Sequence, residues 1–266
     1  MQAAVAVCES EDYRYGLTRL LEPPLRSFAS PRHPHSLRTK LGLVGWVCLG
    51  WLPQAFGCWG QPSCPRDMVM LEAGTFTLGT DHPRPYEQEV YERLLPAFCM
   101  DRYEYPNVEG SLPTVLVSWQ ESVALCEAQG KRLCSSDEWE RACRGTSAQR
   151  WSYGTECDSE ACNTPWEIFQ EPPPPYAKSG SHSRCRNAEG VMDLNGNVSE
   201  WVQDVWKGPR ADFDARDFSS DTTFRTVRGG TMWNHTFYGQ DCLSAHGHPE
   251  TVRHIDDGLR CCMGVE

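Results

Sequence analysis

Apolar residues alternate with small and polar ones along "MVMLEAGTFTLGT", residues 68–80. A repeat of two marks a half-buried strand, and Gly74 and Gly79 punctuate the run, so the stretch predicts two short strands. "PAFCMDRYEYPN", residues 96–107, predicts another strand, stopped by Pro106. The pattern then changes to that of helices. Ser118-Trp119-Gln120-Glu121 reads as a capping box, in which each side chain satisfies the other's free backbone N–H. Val123, Leu125 and Cys126 follow, and Gly130 ends the run. Ser135-Ser136-Asp137-Glu138 is a second capping box, opening a helix that stops at Gly145. Beyond Gly145 the regularity thins. "EPPPPY", residues 171–176, predicts a rigid surface loop, because proline neither continues a helix nor donates to a sheet. "GVMDLNGNVSEWVQDVW" is turn-like at its centre and strand-like at its end, and "RTVRGGTMW" is a strand broken by Gly229-Gly230. No internal repeat is visible. Short strands, two helices and long loops predict one domain over residues 67–266.

Composition adds two constraints. The formal net charge of −11 argues against nucleic acid as a partner, which would need a basic face. Fourteen cysteines are too many for a reducing compartment, and no Cys-x-x-Cys spacing offers a zinc site, so disulfides are the better reading. A targeting segment agrees. Arg38-Thr39-Lys40 is a basic start, and Leu41 to Leu52 is an apolar run too short for a comfortable membrane span. Residues 37–57 therefore read as a signal peptide and residues 58–66 as a linker. Residues 1–36 read as a leader without the pattern of a folded unit, or as a start placed too early. Ala55-Phe56-Gly57 before Cys58 resembles a bacterial lipobox. Cleavage there would leave a lipid-carrying, membrane-attached Cys58; ordinary cleavage would free the chain. The expected location is outside the cytoplasm: bacterial periplasm, outer-membrane lipoprotein or extracellular space. Eleven cysteines follow Cys58, an odd number, so at least one is expected to be free or to pair outside the chain.

The candidate chemistry sits at three places. "DLNGNVSE", residues 193–200, offers the carboxylates of Asp193 and Glu200 and the amide oxygens of Asn195 and Asn197 around Gly196. Hard oxygen donors suit Ca²⁺, although the spacing is not that of an EF-hand and a plain Asx-rich turn uses the same residues. Four histidines, His235, His246, His248 and His254, share one window; their irregular spacing predicts surface residues rather than a metal site. The helix cysteines Cys126 and Cys143 and the later Cys242 and Cys261 read as staples, each long-loop closure stabilising by about 3–5 kcal/mol in the loop-entropy picture. No nucleophile-elbow, phosphate-loop, dinucleotide or His-Glu-x-x-His motif is present, so hydrolase, kinase and zinc-protease readings have no support.

Taken in order, "MVMLEAGTFTLGT", "PAFCMDRYEYPN", "VSWQESVALCEAQGKRLCSSDEWERACRG", "WSYG", "GVMDLNGNVSEWVQD", "TVRGGTMW" and "GLRC" resemble the sulfatase-modifying-factor family, also called the formylglycine-generating-enzyme family. The match covers roughly residues 67–262. The resemblance implies a C-type-lectin-like α+β fold, disulfide-stabilised. It implies the pairs Cys126–Cys261 and Cys143–Cys242. It implies structural Ca²⁺ on Asp193, Gly196, Val198 and Glu200, and a second Ca²⁺ site beginning at Asn163-Thr164. The family oxidase converts a cysteine to formylglycine with O₂ and a Cu⁺ held by two cysteine thiolates, which suit that soft ion. The corresponding segment here, residues 231–241, contains no cysteine; His235 is a substitute ligand but not a thiolate pair. The sequence therefore points to a secreted or lipid-anchored binding module with no formylglycine chemistry, for an unknown peptide, protein or glycan. The alternatives are a family oxidoreductase of altered chemistry and the formylglycine-generating oxidase of sulfatases itself.

Overall fold

A computed structural model describes residues 63–83, 87–164, 175–208, 221–232 and 239–265. The leader, the signal segment, Cys58, most of the proline run and His235 lie outside them. The first strand pair expected from the alternating run is present as β1 (Met68–Leu71) and β2 (Gly74–Leu78). The chain continues through β3 (Tyr91–Leu95), β4 (Phe98–Asp101), α1 (Trp119–Glu127), β5 (Arg132–Leu133) and α2 (Ser136–Arg144). Then come β6 (Ser199–Val205), β7 (Phe224–Arg228), β8 (Ala245–Pro249), β9 (Asp257–Leu259) and β10 (Cys261–Gly264).

Two four-stranded sheets carry the architecture. One has the order β1-β4-β10-β5, all neighbours antiparallel, and the other has the order β8-β7-β6-β9, in which β6 and β9 run parallel. β2 and β3 form a separate antiparallel pair. Both helices begin at the expected capping boxes: Ser118 and Ser135 accept from the N–H groups of Glu121 and Glu138, whose side chains return to the cap N–H. β4 stops at Asp101, well short of Pro106. The cause is the polar run that follows: Asn107 folds back to donate to Asp101 (3.1 Å) and to accept from the Tyr103 N–H (2.9 Å), making a turn of a predicted strand.

α2 has charged residues on nearly every side, yet almost all of it is buried. Its charges survive burial because each is paired. Glu140 lies 2.9 Å from Arg144 and 2.5 Å from Arg228, and accepts from the Gly79 N–H (2.7 Å). Glu138 is bound by both ends of the Arg132 guanidinium (2.7 and 2.6 Å), and Arg141 pairs with Glu189 (2.9 Å). α2 thereby ties the β2–β3 pair to β7 by charge, while Trp139 and Ala142 join the apolar core with Leu71, Phe98, Met100 and Val202. A second apolar cluster, with Leu133, Trp201, Val227 and Leu259, packs under α1.

Cysteines complete both clusters. The disulfides are Cys64–Cys99, Cys126–Cys261, Cys134–Cys262, Cys143–Cys242 and Cys162–Cys185. Cys157 is disulfide-bonded too, so the odd count after Cys58 leaves no free cysteine among the described residues. Cys64 falls in the stretch read as linker; its bond to β4 makes that end of the linker part of the domain. Such a density of disulfides fits an oxidising, exported environment. No helix among the described residues is long and apolar enough to cross a membrane.

Candidate functional site

The polar loop that leads into β6 is turned by three residues in left-handed conformations, Asp193 (φ 60°), Gly196 (φ 75°) and Asn197 (φ 62°). At Gly196 a Cβ would sit 2.4 Å from the carbonyl oxygen of Asn163, so only glycine fits. The loop's polar side chains are buried and each has its own work. Asn195 accepts from the Ser152 N–H (2.9 Å) and donates to Gln240 O (2.9 Å). Asn197 donates to both carboxylate oxygens of Glu104 (3.1 and 2.9 Å) and accepts from the Ala177 N–H (2.8 Å) and Asn163 Nδ2 (2.9 Å). Asp193 accepts from the Gly180 N–H (2.6 Å). Glu200 accepts from Trp139 Nε1 (2.7 Å) and from the Arg260 guanidinium (2.7 and 3.1 Å). Asn197 is itself buried, so the formal glycosylation triplet Asn197-Val198-Ser199 is closed to modification in the folded chain.

This buried loop is part of an electrostatic imbalance. Among the described residues, Glu104, Asp193 and Glu200 interact with one another and with the buried guanidinium of Arg260. Burial pushes the Glu104 carboxyl well above its ordinary range, and the charges of Asp193 and Glu200 push it further. Burial likewise raises Asp193 to about 6, against the opposing Gly180 N–H and Arg260. Burial works against the Arg260 charge, but Glu200, Glu104 and Asp193 hold its pKa above the usual value. A surplus of buried carboxylate oxygen is the donor chemistry of a hard cation. Asp193 and the backbone of Gly196 and Val198 suit such an ion. Glu200 is at the same place, with its oxygens turned to Arg260 and Trp139. Asn163 and Thr164 lie against the same loop: Asn163 O accepts from the Asn197 N–H (2.9 Å), and Asn163 Nδ2 also donates to Pro175 O (3.1 Å). The sequence placed Asp193 to Glu200 together. It gave no sign of Glu104, which lies 93 residues from Asn197.

A cleft of about 470 Å³ opens between β3, α2 and the end of β6, lined by Tyr91, Arg93, Asp137, Asp204, Trp206 and Lys207 among others. Tyr91 donates its hydroxyl to Asp137 (2.7 Å), and Arg93 lies 2.5 Å from the same carboxylate.

The histidines differ from the surface residues the spacing predicts. His246 and His248 are buried on β8, and the His254 side chain is 38% exposed. A strand position two residues apart, His-Gly-His, puts both rings on one face of the sheet, which the irregular count along the whole window conceals. His235 lies outside the described residues.

Two sheets, two capped helices on a staple of disulfides and a buried Glu–Asn–Arg loop define an α+β, C-type-lectin-like domain of the formylglycine-generating-enzyme type. The chain belongs to the family described as "Sulfatase-modifying factor enzyme 1-like domain", which matches residues 106–264. It is 25% identical over 251 residues to a Chlamydia caviae protein named serine/threonine-protein kinase pkn1, covering 75% of this chain and 38% of that one. It is 24% identical over 225 residues to the formylglycine-generating enzyme of Bos taurus (55% and 60%). To the inactive C-alpha-formylglycine-generating enzyme 2 of Bos taurus it is 32% identical over 166 residues (58% and 50%). The chain thus spans from about two fifths to three fifths of the length of these relatives. Among solved structures, PvdO from Pseudomonas aeruginosa superposes with a TM-score of 0.59 at 19% identity, over 77% of this chain and 99% of that one, which is a likeness of fold.

Proposed function

We propose that this protein is an exported, Ca²⁺-stabilised binding module of the sulfatase-modifying-factor family that does not oxidise cysteine to formylglycine. One observation carries the reading. Residues 231–241 contain no cysteine, and every cysteine among the described residues is held in a disulfide. A thiolate pair for Cu⁺ is therefore missing from the donor set, and hydroxyl, amide and carboxylate oxygens do not replace it for a soft ion. The likeness to a relative named inactive points the same way. Ca²⁺ enters as scaffold. Asp193, Gly196, Val198 and Glu200 would hold it, with Asn163 and Thr164 beginning a second site, and its charge would balance carboxylates that Arg260 alone does not. The partner, a peptide, protein or glycan, would seat in the cleft lined by Tyr91, Arg93, Asp137, Asp204, Trp206 and Lys207. Attachment to a membrane through a lipidated Cys58 belongs to the same reading.

The purified chain, reloaded with Cu⁺ and given O₂ and a Cys-x-Pro-x-Arg peptide, tests it. No oxygen uptake and no aldehyde product is the expected result; turnover would establish an oxidase and end the binding-module reading. For calcium, the expected outcome is a Tm that falls with chelator and returns with Ca²⁺, and an Asp193→Asn variant that no longer responds. An indifferent Tm would remove Ca²⁺ from the account.

A further inference from the structure

β8 and β9 are the two outer strands of their sheet, with β7 and β6 between them. Three strand spacings in a flat sheet would separate them by about 14 Å. Yet His248 Nδ1 on β8 lies 2.5 Å from Asp257 Oδ2 on β9, so the sheet curls until its outer strands face each other across the Trp201 ring, 6.1 Å from the His248 ring. The curl brings five metal-competent side chains together. His246, His248 and Asp257 each present a ligand atom, all within 4.8 Å of one another; His254, Asp256 and the same Asp257 do likewise. The His246 and His248 rings are 4.6 Å apart and those of His248 and His254 5.2 Å apart.

We propose that His246, His248 and Asp257 form a binding site for a first-row divalent transition metal of the Zn²⁺ or Fe²⁺ type, with the His254–Asp256 pair on its solvent side. Hydrogen-bonded His–Asp couples alone would explain part of the cluster: His248 meets Asp257, and His254 Nδ1 meets Asp256 Oδ1. They do not explain Asp257 Oδ1. That oxygen belongs to a residue 1% exposed, is sealed from solvent, and has no hydrogen-bond partner. A buried carboxylate oxygen left unmatched costs free energy, and a cation among the adjacent imidazoles removes the cost. The donor set decides the class of ion. Two imidazoles and one carboxylate are borderline ligands, the set found at Zn²⁺ sites and at the two-histidine, one-carboxylate sites of non-haem Fe²⁺; all-oxygen coordination for Ca²⁺ is absent. Three ligands about 2.1 Å from one ion lie about 3.4–3.6 Å apart, so from a spread of up to 4.8 Å the triad closes by about an ångström, within the reach of side-chain rotation. His254, 38% exposed, is the side from which an ion arrives. This site takes none of its ligands from the Asp193–Glu200 loop, which Asp257 adjoins at Ser199, and stands whether or not that loop binds Ca²⁺.

The test uses the whole chain, stripped with chelator, returned to millimolar Ca²⁺ and titrated with Co²⁺ as a spectroscopic probe. The expected result is one equivalent of Co²⁺ with visible d–d bands, displaced by Zn²⁺ or, anaerobically, by Fe²⁺; metal analysis of the protein as isolated tells which it carries. Asp257→Asn, nearly isosteric, should weaken Co²⁺ binding by about 10- to 100-fold, and His246→Gln with His248→Gln should abolish the bands. His82→Gln, at an exposed histidine outside the cluster, should leave them unchanged. The near-UV circular dichroism of each variant reports folding. The proposal is overturned if the native chain binds no stoichiometric Co²⁺, or if folded Asp257→Asn binds it as well as the native chain does.

Discussion

Gly196 shows how far a single residue reaches. Its left-handed backbone and the 2.4 Å approach to Asn163 O mean that Gly196→Ala must move backbone, not a side chain. Chemical denaturation should show a loss above about 1 kcal/mol, where an unstrained Gly-to-Ala change would instead gain about 0.4–1 kcal/mol. Glu121 makes a different case. The hydrogen bonds from Arg253 and from the Ser118 N–H hold its carboxyl at about 2, below its ordinary 4.5. A carboxyl lowered in the folded state contributes stability that is fully present above its unfolded pKa and is lost as pH falls through the folded one. The difference in Tm between the native chain and Glu121→Gln should therefore be constant above about pH 5 and vanish near pH 2. The loop's chemistry was half legible in sequence. Asp193, Asn195, Asn197 and Glu200 stand together in eight residues, whereas Glu104 and Arg260, which set their electrostatics, arrive from the turn after β4 and from the residue between β9 and β10.

Elements were legible where a local rule made them. Each helix carries its own start in a Ser-x-x-Glu box, and Ser135→Ala should cost about 1 kcal/mol by urea titration. β8 was not legible: Ala-His-Gly-His-Pro has no β-branched residue and no apolar alternation, and it becomes a strand because β7 pairs with it over five residues. β5 is two residues long and exists only against β10. α2 conceals its burial in a different way, since its charges read as a solvated face until Arg228, Arg132 and Glu189 appear beside them. Replacing Glu140 by Gln leaves Arg228 and Arg144 buried without their counter-charge; a loss of roughly 3–5 kcal/mol is expected in the same urea titration.

At the scale of the whole molecule the disulfides decide what holds. Cys143–Cys242 spans 99 residues and Cys126–Cys261 spans 135. Removing the first with Cys143→Ser and Cys242→Ser should cost about 4–5 kcal/mol of equilibrium stability, read from the shift in denaturation midpoint. The family could be read from motif order along the chain, because helix caps, the Asx loop and the cysteines keep their sequence. The curl that joins β8 to β9 could not, being a property of sheet twist summed over four strands. β10 carries one more consequence. Cys261 and Cys262 point to opposite faces of an inner strand and bond to α1 and to the segment just before α2, and the strand itself lies between β4 and β5. Until it emerges, the first sheet has a gap, two helix-side thiols wait unpaired, and β4 shows a bare hydrogen-bonding edge. Such a chain cannot close its first sheet stepwise from the N-terminal end: the gap and the unpaired thiols persist until the residues of β10 are available.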